Sequence, residues 1–198
     1  MTPSKAAATL GVLTIMLSGC AATPPVGHAT AVPSPVTASA PAPSPTPSVD
    51  PASITTLGPD GAGPIELGMT KTQVAATGAV TGLSGTEGTC GQPGDGRLVG
   101  ALPADDSDFV GQLFFSTSTG KLVVIAATPA VATPEGIHLG SSLTEVNKAY
   151  PSWKGDEGGD QGADLVDVDG NEKAAYRVYV DAGQVLELSL QLRRQDCS

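Results

Sequence analysis

Hydrophobic and polar positions alternate most clearly near the C-terminus. Tyr176, Val178 and Val180 alternate with Arg177 and Tyr179, and Leu186, Leu188, Leu190 and Leu192 alternate with Glu187, Ser189 and Gln191. A period of two predicts half-buried β-strands, and Asp181-Ala182-Gly183-Gln184 supplies the turn between them. A strand at about 164–168 precedes them through Asp169-Gly170, a hairpin signal. Earlier in the chain, 111–116 and 121–127 predict a matching hairpin around Thr119-Gly120, with a weaker strand near 97–102.

Two stretches predict helix starts, and they resemble one another. Ile65, Leu67, Gly68, Thr70, Gln73 and Val74 recur 72 positions later as Ile137, Leu139, Gly140, Ser142, Glu145 and Val146. Thr70-x-x-Gln73 and Ser142-x-x-Glu145 are both capping boxes, in which the hydroxyl accepts the N3 amide and the N3 side chain reaches back. The first helix is expected to run to about Gly78. The second should run to about Tyr150, where Pro151 stops it. Aligning Gly120 with Gly183 gives an offset of 63, so the first copy carries about 9 extra residues, placed by the pattern in the Gly-rich loop that holds Cys90. The fold class expected is α+β: two tandem units, 54–132 and 133–198, each a short helix followed by a three-stranded antiparallel meander.

Residues 1–19 read differently. Lys5 gives a weakly positive start, and Ala6 to Leu17 is an apolar run too short to span a bilayer and right for an export signal. It ends in Leu17-Ser18-Gly19-Cys20, which resembles the lipobox of bacterial lipoproteins. The resemblance implies that Cys20 carries a diacylglyceryl group, becomes the mature N-terminus, and anchors the protein to the cell membrane on its extracytoplasmic face. Two or more acyl chains, at about 0.8 kcal/mol per buried methylene, make such an anchor stable. Residues 20–53 then form an uncharged Pro/Ala/Ser/Thr tether as far as Asp50, with too few large apolar side chains to offset ordering entropy. At ~3 Å per residue it holds the folded part up to roughly 90 Å from the bilayer.

An Ile-x-Leu strand entering Gly-Met-Thr-x-x-x-Val at Ile65–Val74, then a helix and an antiparallel sheet, is similar to the β-lactamase inhibitory proteins, which carry two such units in tandem. It is also similar to the small lipoprotein of the outer-membrane β-barrel assembly machine, which carries one. The first resemblance implies enzyme inhibition through an aromatic sheet face. The candidate partner-binding residues are therefore Tyr176, Tyr179, Phe114 and Trp153.

Composition narrows the partners. With 10 basic and 20 acidic residues in 198, the net charge of -10 disfavours nucleic acid. Of three cysteines, assigning Cys20 to lipid leaves Cys90 and Cys197, one in each unit. They are either a disulfide, the expected state outside the membrane, or two buried free thiols. The acidic stretch Asp156, Glu157, Asp160, Asp164, Asp167, Asp169 and Glu172 does not fit an EF-hand. With Gly170 at loop position 6, positions 1 and 12 are Leu165 and Tyr176. Asp105, Asp106 and Asp108 read as a surface loop. His138 stands alone as a histidine of the folded part and has no marked nucleophile. No catalytic residue, metal ligand or cofactor motif is assigned. The expectation is a non-catalytic, membrane-anchored binding module for an extracytoplasmic protein. An inhibitor of a secreted or periplasmic enzyme, or a small cell-surface hydrolase, is the alternative.

Overall fold

The computed structural model describes residues 50, 53–84, 90–92, 94–101 and 109–197. The expectations for residues 1–49, lipidation of Cys20 among them, lie outside the described residues, as does the loop with Asp105, Asp106 and Asp108.

The fold is α+β and mostly strand. In chain order come the short hairpin β1 (Gly61–Ala62) and β2 (Ile65–Glu66), then α1 (Lys71–Ala76), β3 (Val80–Leu83), β4 (Asp95–Leu98), β5 (Leu113–Phe115) and β6 (Leu122–Ala126). They are followed by α2 (Leu143–Ala149), a 3-10 turn at Asp156–Gly158, β7 (Gly162–Asp167), β8 (Ala174–Asp181) and β9 (Gln184–Leu192). Both helices start as their sequences dictate. Thr70 accepts from the Gln73 amide while the Gln73 side chain accepts the Thr70 amide, and Ser142 and Glu145 do the same. Each helix buries a single valine, Val74 or Val146. Helices of 6 and 7 residues are too short to hold themselves in water, so it is packing and capping that stabilise them.

The main sheet has five strands in the order β5-β6-β9-β8-β7, all antiparallel, and β3 and β4 pair separately. The second half therefore has one helix and a continuous three-stranded meander. The first half has one helix and three hairpins among the described residues, β1–β2, β3–β4 and β5–β6, of which only β5–β6 joins the main sheet. Leu98 donates to the Gly111 carbonyl at 2.8 Å and Arg97 bridges Gln112, so β4 touches β5 without extending the sheet. The β5 edge is occupied by other groups. The Cys90 amide donates to the Phe115 carbonyl at 2.9 Å, and the Phe115 amide donates to Asp95 Oδ2 at 3.3 Å.

The opposite edge, β7, is closed by the same chemistry. The Ala163 amide donates to Asp156 Oδ1 at 3.2 Å and the Leu165 amide to Asp164 Oδ1 at 2.8 Å. An unpaired edge is a template for strand addition, and carboxylates on its amides remove the donors.

One apolar cluster joins the inner face of the sheet to both helices and the N-terminal segment. It includes Leu57, Ile65, Val74, Leu98, Phe115, Ile125, Val146, Val178, Leu188 and Leu190. Residues 54–57 are tied to the segment after β6, where Leu57 donates to the Ala132 carbonyl at 2.8 Å and Ala132 to Thr55 at 3.0 Å. The Cys90–Cys197 disulfide closes a loop of 107 residues between the Gly-rich loop and the end of β9. On the chain-entropy account a closure of this length stabilises by about 4–5 kcal/mol.

One alternation expected from the sequence does not hold. Leu186 is not a core residue; it is 49% exposed, and Val185 takes its place at 1%. A bulge is the cause. The register steps from Tyr179↔Glu187 to Val180↔Val185, so Leu186 is the extra residue and the faces exchange across it.

Candidate binding face

Strand register decides which side chains share the outer face of the sheet. In β8, Tyr176, Val178 and Val180 are buried inward, so Arg177 and Tyr179 point outward. Their cross-strand partners are Ser189 and Glu187 on β9 and Leu165 and Ala163 on β7. The face continues through Gln191, paired with Val124 on β6, which in turn pairs with Phe114 on β5. Leu165 is 41% exposed, and Phe114, Arg177, Tyr179, Glu187 and Gln191 are half-buried. Large apolar side chains in partial contact with water, arranged around polar ones, are the composition of a docking surface.

At its centre Arg177 donates to Glu187 Oε2 at 2.5 Å, both side chains about one third exposed. Such a half-exposed pair adds little stability and fixes orientation. At the β5 end the ring of Phe109 tilts against Phe114, with centroids 5.7 Å apart. Between this aromatic pair and the ion pair lies a groove of about 370 Å³, lined also by Val124, Gln191 and Gln195. Gly91 closes against Phe114: its φ is +77°, and a Cβ there would stand 2.6 Å from the ring. Ser189 sits on the same face, fully buried, and its Oγ has no hydrogen-bond partner among the described residues.

The four aromatic residues singled out from the sequence do not share this face. Phe114 and Tyr179 lie on it. Tyr176 is 1% exposed and its hydroxyl donates to the Leu57 carbonyl at 2.8 Å. Trp153 is 4% exposed and its Nε1 donates to the Val178 carbonyl at 3.0 Å. Both belong to the core, and burial pushes the Tyr176 hydroxyl pKa up. The reason is legible in numbering: residues three apart on a strand point to opposite faces, so Tyr176 and Tyr179 cannot both face outward. Tyr150, just after α2, is also interior; burial and its bond to Glu135 raise its pKa, and its hydroxyl lies 2.6 Å from Glu135 Oε2.

Two side chains with structural roles escape a reading by motif. Asp95 is fully buried, accepts the Gly91 amide at 2.8 Å, and faces Lys71 Nζ at 2.9 Å. It therefore shapes the loop that carries Cys90. The one signal is an acid flanked by glycines, Gly94 and Gly96. Asp196 is exposed, and its Oδ2 accepts the Thr117 hydroxyl at 2.7 Å and the Ser118 amide at 2.9 Å. Nothing local in the sequence joins 117 to 196.

Three residues of the acidic stretch make structural bonds. Asp156 and Asp164 accept backbone amides, and Asp167 pairs with Arg193. His138 is exposed and its Nδ1 lies 2.8 Å from the Leu139 carbonyl. Cys90, Asp196 and Cys197 gather their ligand-type atoms, but the two sulfurs are joined to each other and offer no thiolate to a metal. Among the described residues, no helix is long and apolar enough to cross a membrane. Comparison with known protein families, characterised proteins and solved structures finds no match for this chain.

Proposed function

We propose that this protein is an extracytoplasmic interaction module, held to the cell membrane through lipid on Cys20, that docks a partner protein on the outer face of its five-stranded sheet. The observation that carries the reading is the groove between Phe109–Phe114 and the Arg177–Glu187 pair, set in a face that leaves Phe114, Tyr179 and Leu165 in contact with water. The groove suits an apolar side chain of the partner, flanked by groups that hydrogen-bond to Gln191 and the ion pair. With Tyr176 and Trp153 in the core, half of the aromatic set behind an inhibitor reading is missing from the face, so a binding module is favoured over an inhibitor.

The helix starts support a further reading, that the two halves are copies of one unit. Gly68 donates to the Leu122 carbonyl at 2.7 Å and Gly140 to that of Val185 at 2.8 Å. Both glycines have positive φ, +86° and +89°. On this reading β6 and β9, neighbours in the sheet, are the last strands of the two copies.

Photo-crosslinkers at Phe114 and Tyr179 of the anchored protein, in its native envelope, test the docking face. The same partner should be captured from both and not from Asn147, which is exposed on α2. Equal capture from Asn147, or none from the sheet face, would sink the reading. For the anchor, the mass of the mature N-terminus should show acylated Cys20; an unmodified cysteine removes it.

A further inference from the structure

After β9 the chain runs from the β8–β9 ladder to the turn of the β5–β6 hairpin and is held at three points. The Arg193 amide donates to the Lys173 carbonyl at 2.9 Å. Asp196 seats its carboxylate in the Thr117–Ser118 turn, and these bonds, the Thr117 hydroxyl first, hold its carboxyl well below the usual carboxylate range. Cys197 is bonded to Cys90, with the two Cα atoms 4.7 Å apart. Within this short segment, Gln195 and Cys197 also line the groove on the sheet face, opposite residues the β-strands supply. The docking site is thus built partly from the sheet and partly from the segment that follows β9.

We infer that residues 193–197 are a disulfide-latched strap, and that thiol–disulfide exchange at Cys90–Cys197 switches the sheet-face groove between a formed and an open state. This rests on the sheet face being the docking site. Cys90 and Cys197 are both half-buried, so a dithiol reductant reaches the bond. One thiolate of the reductant attacks a cysteine sulfur; the S–S bond breaks, and the other cysteine leaves as a thiolate and takes a proton. The second thiol of the reductant then displaces the first cysteine. Two cysteine thiols and one disulfide of the reductant result, two electrons having passed to the protein. What then holds the strap is the Asp196 seat and the Arg193 contacts, all exposed and in competition with water. A segment held only by exposed bonds opens readily.

The test uses the full chain with and without dithiothreitol, and the Cys90→Ser, Cys197→Ser variant as a second route to the same state. Amide exchange over 112–119 and 193–197 should rise at least ten-fold, and oxidative labelling of Phe114 should rise about three-fold. Trp153, the sole tryptophan and buried, reports the fold, and its emission should not move. Crosslinking from Tyr179 to the partner should fall in the reduced state. Unchanged exchange with both thiols free overturns the strap, and so does a red-shifted Trp153 emission, which would mean that reduction unfolds the core and not the strap alone. Equal crosslinking in both states overturns the switch. No crosslinking in either state overturns the docking face itself, while the exchange and labelling still decide whether the strap is latched.

Discussion

Thr70 and Ser142 cap helices of nearly equal length, and each capping residue bridges the residue that leads into a strand of the main sheet, Lys121 or Gln184. Beyond that point the halves diverge. The second continues as β7-β8-β9 with every strand in register along its neighbour, apart from one bulge. The first breaks into two hairpins, and the groups that would have met a sixth strand are taken by Asp95 and by the amide of Cys90. The two halves close their sheet edges by different means. A Gly-rich loop between β3 and β4 costs little closure entropy, and beside it a buried carboxylate and the Cys90 amide occupy the β5 edge. The half with the regular meander places its aspartates on an exposed edge; the other half places one in the core.

The disulfide provides the largest expected effect. Reducing it, or replacing both cysteines with serine, should lower the unfolding free energy by about 4–5 kcal/mol in urea titrations, as expected for a closed loop of this length. A loss under about 1 kcal/mol would mean that the first half is held by packing alone.

Asp95→Ala comes next. It removes one partner of Lys71 and the acceptor for two amides, and should cost about 3 kcal/mol by chemical denaturation. The side chain of Lys71 is 18% exposed and gains some water in compensation, which places the effect at the lower end for a buried pair. If the halves were equally dependent on their aspartates, Asp164→Ala would cost as much; we expect it to cost far less.

Cap substitutions sharpen the comparison. Thr70→Ala and Ser142→Ala should each cost about 1 kcal/mol near neutral pH. Only the second box contains a titrating group. Its bonds from Ser142 hold the Glu145 pKa below the ordinary value of 4.5, so its contribution is complete above about that pH and is lost as pH falls through the lowered folded value. Thermal unfolding from pH 6 to pH 3 should therefore show the cost of Ser142→Ala shrinking and that of Thr70→Ala holding steady. Glu145→Gln should abolish the difference; a shrinkage at both caps would refute this account.

The smallest effect on stability belongs to the β7 edge. The Asp156→Ala, Asp164→Ala double variant frees the Ala163 and Leu165 amides and should form dimers or larger species at high concentration in sedimentation runs. A strictly monomeric variant would show that the edge is protected by its surroundings and not by carboxylates.

Much of the chain could be read before it was folded, for an identifiable reason. A capping box is complete within four residues, so Thr70–Gln73 and Ser142–Glu145 needed no tertiary information. The strands of the second half followed from alternation, and their turns from Asp169-Gly170 and Ala182-Gly183. Local signals were weaker at β3, where Val80-Thr81-Gly82-Leu83 carries a glycine in mid-strand, and there no strand was expected. At Leu186 the pattern misled, because a bulge changes the face of a residue without changing its sequence. The candidate binding face was half legible: parity alone separates Tyr176 from Tyr179, while the burial of Trp153 depends on where the chain after α2 returns to the sheet.

Local sequence was enough for the α+β class, the two helix starts and most strands. Those features depend on contacts within a few residues or on simple counting. Only the tertiary structure decided that β6 joins β9, that Asp95 is buried against Lys71, and that Asp196 seats in a turn 78 residues earlier in the chain. Each of these is a contact between distant segments, set by how a shared core packs and by which amides remain unpaired once it has done so.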